Sequence, residues 1–401
     1  MIVERTRVAI VGAGPAGLLL SHLLATTGVE SIVIDCRSRE QIETTVRAGI
    51  LEEDTVRVLV AADGSKRVLS AGQRHDGIEI RFSGEGHRID FAGLVGRGVW
   101  LYPQHELLQD LIAARLDDGQ DLRFGTTATR ADDGATRARV EALDAEGRAL
   151  AIEAEFIVGA DGSHSVVRAA VAGSATSGHF REYPFAWFGI LCEAPPSARE
   201  LIYSNSENGF ALISQRSATL QRMYLQCDRD LDPQAMTDDD VWNALATRVA
   251  PHELVRGPIT QRDLLHFRSF VSERVQRGRL ALVGDAAHTV PPTGAKGLNL
   301  AVADVLVLAR ALRALLVSGD ASLIERYPDD VLPRIWRAQH FSWWMTQMLH
   351  TAPDATDFDR HRQIGELESV VESEAGRRFL AEAYTGWPMQ VADAIAITSG
   401  H

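Results

Sequence analysis

In RVAIVGAGPAGLLLSHLLA, residues 7–25, five residues of strand character run into a glycine-rich turn and then into an apolar helical stretch. The pattern predicts a buried strand over 7–11 and a helix over 15–25, with Gly12, Gly14, Ala16 and Gly17 at the join. Each glycine has its own task in such a turn. Gly12 permits the tight bend, Gly14 lets the backbone approach a pyrophosphate, and Gly17 lets the helix pack closely on the strand. The helix N-terminus adds unsatisfied N–H donors facing the anion. A second strand over 31–34 ends in Asp35, near the spacing of about 20 residues at which an acid accepts hydrogen bonds from a ribose. By itself the turn fits any α/β unit. Two later stretches, GADG at 159–162 and GDAAH at 284–288, complete a set that together describes an FAD site. The last follows a strand over 279–283, so Asp285 stands at the carboxyl edge of a sheet, where it can accept a polyol hydroxyl.

A chain of 401 residues has room for two or three domains and a large core. Acidic residues outnumber basic ones by 54 to 41, giving a net charge of -13, and no basic stripe is interleaved with aromatics, so nucleic acid is excluded as a partner. Cys36, Cys192 and Cys227 are far apart and odd in number, which fits a reducing compartment and neither a disulfide framework nor a metal cluster. Arg5 and Arg7 precede an apolar run as in a secretory signal, but that run is the fingerprint strand and helix and has no small-residue cleavage site. The most apolar later stretch, Leu298 to Val317, contains Asp304, Arg310 and Arg313, which a membrane span would not readily accept. A cytoplasmic protein with no membrane and no metal is expected.

Strand-like and helical segments alternate at both ends of the chain, whereas residues 74–90 and 185–228 read as short alternating runs broken by turns, as in an antiparallel sheet. The expected fold is mixed α/β and α+β: a Rossmann-like FAD-binding domain (1–73, 98–180, 269–349) interrupted by an antiparallel-sheet substrate domain (74–97, 181–268), followed by C-terminal helices (350–401). After Leu298, apolar residues recur at helical spacing, so a long helix begins just past the loop PPTGAKG. Gly297, Leu298 and Asn299 would then offer amides and a helix dipole to one end of a flavin ring, stabilising the negative charge of its reduced form. Trp343 and Trp344 lie in the helical last quarter, either in a core or at a subunit interface.

The segments VAIVGAGPAGLLL (8–20), RAGILE (47–52), ELIYSN (200–205), GFALISQRSAT (209–219), GRLALVGDAAHTVPPTGAKGLNLA (278–301), RIWRAQHFSWWMT (334–346) and AYTG (383–386) carry a resemblance over nearly the whole length. The chain resembles the single-component FAD aromatic hydroxylases. That resemblance implies hydroxylation of 4-hydroxybenzoate to 3,4-dihydroxybenzoate with NADPH or NADH and O2, through a flavin C4a-hydroperoxide, in a homodimer. A related benzoate, 4-aminobenzoate or 3,4-dihydroxybenzoate, stays open as substrate, as do another FAD oxidoreductase class and a non-catalytic FAD-dependent binding protein.

The residue chemistry agrees at one point. Ser214 and Arg216 lie two apart on an expected strand, as do Arg222 and Tyr224 on the returning one, so a hydroxyl, a guanidinium and a phenol can converge on a carboxylate. The resemblance implies the same carboxylate-binding role for Ser214, Arg216 and Tyr224. It further implies that Tyr203 and Tyr384 form a proton chain from the substrate hydroxyl toward His75; nothing in their spacing brings them together. A histidine suits such a task because it titrates near neutral pH. Pro292 and Thr293 are expected to line the flavin side of the pocket, with Lys296 and Asn299. Arg47, Gln104 and Asp161 match further cofactor contacts, and His164 and Arg268 match residues that bind the coenzyme pyrophosphate. Arg37 and Arg39 either receive a 2'-phosphate or form a solvated helix face, which leaves NADH and NADPH level.

Overall fold

The structure is a computed structural model that describes residues 2–45, 49–173, 178–389 and 391. The fingerprint strand is longer than expected, Ile2–Val11, and pairs in parallel with Ser31–Asp35 on one side and Ala149–Gly159 on the other. Leu280–Leu282 and Asp121–Phe124 extend the parallel sheet outward, so the strands leading to Gly12, Asp35, Gly159 and Gly284 all end on one edge. The helix Pro15–Ala25 starts and stops where its apolar run does, and buries every residue from Ala16 to Leu24. A helix apolar on all sides must be covered on all sides. Gly297–Ser318 and Gln104–Asp117 pack against it and supply that cover.

The second sheet runs in the order His288–Thr289, Ile259–Ser272, Gly178–Glu193, Leu220–Cys227, Ala211–Gln215, Leu201–Ser204, Gly77–Phe82, Glu85–Asp90. All its pairs are antiparallel except Leu201–Ser204 with Gly77–Phe82. The long strand Ile259–Ser272 was not anticipated. Expected domain boundaries at 180/181 and 268/269 fall inside Gly178–Glu193 and Ile259–Ser272, which run on past them.

Both faces of this sheet are covered, which is why all five residues of Ala211–Gln215 are buried. Ala211 and Ile213 pack toward the helix Asp238–Val249. Leu212, Tyr203 and Tyr224 pack on the other face with Trp187 from Gly178–Glu193 and with Phe341, Met345 and Tyr384 from the C-terminal helices Tyr327–Leu349 and Glu374–Thr385. Register puts Tyr203, Leu212 and Tyr224 in one cross-strand row, with Ser214 opposite Arg222 two residues along on the same face. No helix among the described residues is long and apolar enough to cross a membrane.

Candidate active site

The glycine turn has the shape a pyrophosphate requires. Gly12 has φ +108°, and a Cβ there would stand 2.2 Å from the Ala160 carbonyl oxygen. A Cβ on Gly17 would lie 1.9 Å from the Gly12 oxygen, so only glycine allows helix and turn to touch. Around Gly14, by contrast, no described residue lies within 4 Å of where a Cβ would stand, which leaves room for a ligand. No side chain caps the Pro15–Ala25 helix, which leaves its first amides available. On the far side of the turn, Asp161 Oδ2 accepts from Val166 N at 2.7 Å, while Asp161 Oδ1 is buried without a partner among the described residues. Burial raises the Asp161 carboxyl above its ordinary range despite those bonds. Asp285 is exposed at the next strand end, and Gln104 opens its helix half-buried. An orphaned acceptor and an open glycine cradle suit FAD; Arg47 lies outside the described residues.

Asp35 ends its strand as expected, but its carboxylate is already engaged. It accepts from Ala13 N (2.7 Å), Arg37 N (2.9 Å), and Arg37 Nε and NH2 (3.0 and 2.8 Å). Burial would raise this carboxyl; the Arg37 bonds outweigh it and hold it below the usual range. Arg37 is therefore turned back on Asp35, and Arg39 pairs with Glu43 at 2.6 Å. His164 and Arg268 sit at another place: Arg268 NH2 donates to Ser163 Oγ at 2.5 Å, with His164 Nδ1 3.4 Å from the same hydroxyl. A cavity of about 410 Å³ opens there, lined among others by Ser163, Arg168, Arg268 and Phe270.

The loop before the Gly297–Ser318 helix is fastened from beneath. Lys296 Nζ donates to Glu52 Oε1 (2.7 Å) and to the Tyr384 carbonyl (2.8 Å), with both charged groups buried. Burial lowers the Lys296 ammonium from its ordinary value, against the pull of Glu52. Asn299 Oδ1 accepts from Glu52 N and Thr55 Oγ1, both at 2.8 Å, while its Nδ2 donates to the Ile50 and Ala295 carbonyls. The polar atoms of both side chains are thus held by protein, and no side chain caps the Gly297–Ser318 helix. GDAAH is fastened too: His288 Nε2 donates to Asp304 Oδ2 at 2.6 Å, and Gly284 N donates to the same oxygen.

On the second sheet, Arg216 lies one residue beyond its strand, where its N–H donates to the Leu220 carbonyl to close the turn. Its NH1 donates to Ser214 Oγ (3.3 Å), and Ser214 Oγ donates to the Arg222 carbonyl (2.6 Å). Arg222 pairs with Asp263 and stands 4.9 Å from the Tyr224 ring centre. Burial lowers the Arg216 pKa, and its Nε is buried with no partner among the described residues. A desolvated guanidinium with an unused donor is fitted to an incoming carboxylate.

Tyr203 and Tyr384 do meet: their phenol oxygens are 2.7 Å apart in a fully buried site. Burial raises both phenols above their ordinary pKa, so neither ionises near neutral pH. His75 is buried as well, but its hydrogen bond is to another residue. Gln215 Nε2 donates to His75 Nε2 at 2.8 Å, and His75 Nδ1 has no partner among the described residues. Pro292 and Thr293 form a short 3-10 turn above this region, with the Thr346 hydroxyl 3.0 Å from that of Thr293. Trp344 Nε1 donates to Glu366, which assigns it to helix packing, while Trp343 is partly exposed.

Four residues here escaped the sequence reading: Gln215, Glu52, Asp304 and His350. The last is fully buried, accepts from Trp187 Nε1 (2.6 Å) and donates from Nδ1 to the Thr346 carbonyl (2.9 Å). Burial drops its pKa to about 3, so it stays neutral and fixes the indole behind Tyr224. Glu52 and Gln215 stand inside RAGILE and SQRSAT, so short segments carried them without naming a partner.

The FAD binding domain family matches residues 5–342. The p-hydroxybenzoate hydroxylase of Acinetobacter baylyi is 40% identical over 391 residues, 96% of each chain. The 3-amino-4-hydroxybenzoate 2-monooxygenase of Streptomyces cremeus is 25% identical, covering 90% of this chain and 92% of its own. Among solved structures, p-nitrophenol 4-monooxygenase from Pseudomonas putida superposes with a TM-score of 0.80 at 18% identity, over 97% of this chain and all of that one. The glycine cradle, the buried guanidinium and these similarities agree: the chain belongs to the FAD-dependent aromatic hydroxylases, flavin-dependent monooxygenases.

Proposed function

We propose that this enzyme hydroxylates 4-hydroxybenzoate at its 3-position to give 3,4-dihydroxybenzoate, with NADH or NADPH and O2 as co-substrates. The observation that carries the reading is the buried, unpartnered Nε of Arg216 on the same side of one sheet as the Tyr203–Tyr384 pair. One group takes a carboxylate and the other a phenol. Arg216 binds the carboxylate, with Ser214 and Tyr224 completing its shell. Tyr203 accepts a hydrogen bond from the 4-hydroxyl and passes its proton to Tyr384 while both remain neutral, and His75 exchanges that proton with solvent. Loss of the proton raises electron density on the ring carbon ortho to the oxygen, which is where the new bond forms.

FAD, when bound, takes hydride from the nicotinamide and delivers an activated oxygen atom. Gly12, Gly14, Ala16, Gly17, Asp35, Arg47, Gln104, Asp161 and Asp285 hold it, with Gly297, Leu298 and Asn299 at the ring end. Pro292 and Thr293 keep water off the reacting face. His164 and Arg268, at the cavity beside Ser163, take the coenzyme pyrophosphate; Arg37 joins them only by releasing Asp35. The segments 1–73, 98–180 and 269–349 serve the cofactor and 74–97 with 181–268 the substrate. We place the enzyme in the cytoplasm as a homodimer.

The test is NADH and NADPH oxidation by the FAD-loaded enzyme in air, with and without 4-hydroxybenzoate, and the product identified by mass. Stimulated oxidation with a matching yield of 3,4-dihydroxybenzoate is expected. Stimulation that yields only hydrogen peroxide would assign a different benzoate, and no stimulation would overturn the reading.

A further inference from the structure

Of the 41 basic residues in this chain, two are lysines, Lys66 and Lys296. Lys66 is exposed and pairs with Asp63 at 2.8 Å. Lys296 is its opposite, a residue 2% exposed. Two of its three N–H groups go to Glu52 Oε1 and the Tyr384 carbonyl, and the third has no oxygen or nitrogen partner among the described residues. Three aromatic rings stand around that ammonium. Nζ lies 5.3 Å from the ring centre of Phe341, 5.9 Å from that of Tyr384 and 5.9 Å from that of Trp387. At each of these distances a ring face attracts a cation.

Phe341 and Tyr384 belong to helices, whereas Trp387 lies beyond the last described helix, in a segment strapped down at every residue from 386 to 389. Arg97 NH1 donates to the Gly386 carbonyl (3.1 Å), Arg334 NH2 to the carbonyls of Trp387 (3.0 Å) and Pro388, and the Met389 N–H to Asp54 Oδ2 (2.9 Å). Gly386 has φ +91°, and a Cβ there would stand 1.8 Å from Glu52 Oε2, so the backbone passes directly over the carboxylate that holds Lys296.

We propose that Trp387 is a positioning residue of the active site: it closes an aromatic cage that keeps the Lys296 ammonium dry and charged, and so ties the segment 386–389 to the loop before the Gly297–Ser318 helix. The proposal rests on the reading that this loop serves the ring end of the cofactor. A neutral Lys296 would lose its charge-assisted bond to Glu52 and leave that buried carboxylate without a counter-charge, so the fastening of the loop depends on the proton. The charged groups facing the site are Glu52 from Ile50–Glu52, Arg334 and Arg337 from Tyr327–Leu349, and Asp54 with its partners Arg57 and Arg97. Burial and Arg334 work against the ammonium and Glu52 works for it. The ring faces add attraction while keeping water out.

The experiment is trace acetylation of the FAD-loaded enzyme with acetic anhydride across the alkaline range, read by peptide mass spectrometry at Lys296, with Lys66 as the reference in the same molecule. The neutral amine is the reactive form. Trp387→Leu keeps the site apolar but removes the ring, and is expected to move the midpoint of Lys296 labelling downward by roughly half a unit to one unit. Trp387→Phe should move it less, since it restores a ring face. Greater access alone scales the whole curve and leaves its midpoint in place. The affinity for FAD and the alkaline limb of substrate-stimulated coenzyme oxidation should shift in step with the labelling. An unmoved midpoint in both variants would overturn the cage, whatever happens to turnover. A moved midpoint with unchanged FAD affinity and an unchanged pH profile would instead overturn the reading of the loop as the ring end of the cofactor site.

Discussion

The phenol oxygens of Tyr203 and Tyr384 stand 2.7 Å apart although 181 residues separate them in the chain. One comes from the second sheet and the other from the last described helix, so the pair exists only once the C-terminal helices have closed on the sheet. Tyr203→Phe removes one hydroxyl from a dry pair and little bulk. Substrate affinity should change by less than about threefold, whereas product formation should fall by on the order of 100-fold. Titration of 4-hydroxybenzoate against flavin fluorescence and single-turnover product analysis separate the two effects. Normal turnover would remove Tyr203 from the proton chain.

Arg216 offers a different signature, since it is expected to act on binding. Arg216→Ala removes two charge-assisted hydrogen bonds, and a loss of about 3 kcal/mol corresponds to an increase of roughly 100-fold in KM for the benzoate. Arg216→Lys should recover only part of this, because an ammonium lacks the planar pair of donors. An unchanged KM would place the carboxylate elsewhere.

Gly17→Ala tests the cofactor turn on steric grounds alone. The new Cβ would stand 1.9 Å from the Gly12 oxygen, and backbone must move to admit it. The purified variant should be colourless, retaining less than about a tenth of the FAD of the parent. Gly14→Ala, with open space at that position, should fold equally well and lose affinity only for the cofactor. Absorbance spectra and thermal melts of the apoproteins distinguish the two.

His288 and Asp304 couple the GDAAH loop to pH. Burial alone would lower the His288 pKa, but Asp304 outweighs it, and the group ends above 6.5. A raised pKa in the fold means that its stabilisation is fully present below about 6.5 and is lost as pH rises through the folded value. The parent should therefore show a decline in melting temperature over that rise which His288→Gln lacks. Equal slopes in the two proteins would show that the imidazole does not bind its proton in the fold.

How much of this could be read beforehand depended on distance along the chain. The three glycines, the strand into Asp35 and the helix from Pro15 to Ala25 are local patterns whose physics is contained in a few residues, and they stand where expected. Ser214 and Tyr224 were legible for the same reason, since strand parity puts them on one face. Arg216 was one residue off, because the turn begins with it. The Tyr203–Tyr384 contact had no local signal and came only from resemblance. Gln215, Glu52 and Asp304 were silent because a side chain's partner across the fold leaves no spacing to measure. Arg37 shows the opposite failure: its charge was legible, but a carboxylate two residues away had the first claim on it.

Tyr384 is grasped at both of its polar ends. Its hydroxyl meets Tyr203 on the sheet, and its carbonyl takes the Lys296 ammonium from the loop before the Gly297–Ser318 helix. One residue thus acts as a rivet through two plates. A force that lifts the Glu374–Thr385 helix by even a few tenths of an ångström strains the loop and the phenol pair together, so the two halves of the site cannot drift independently.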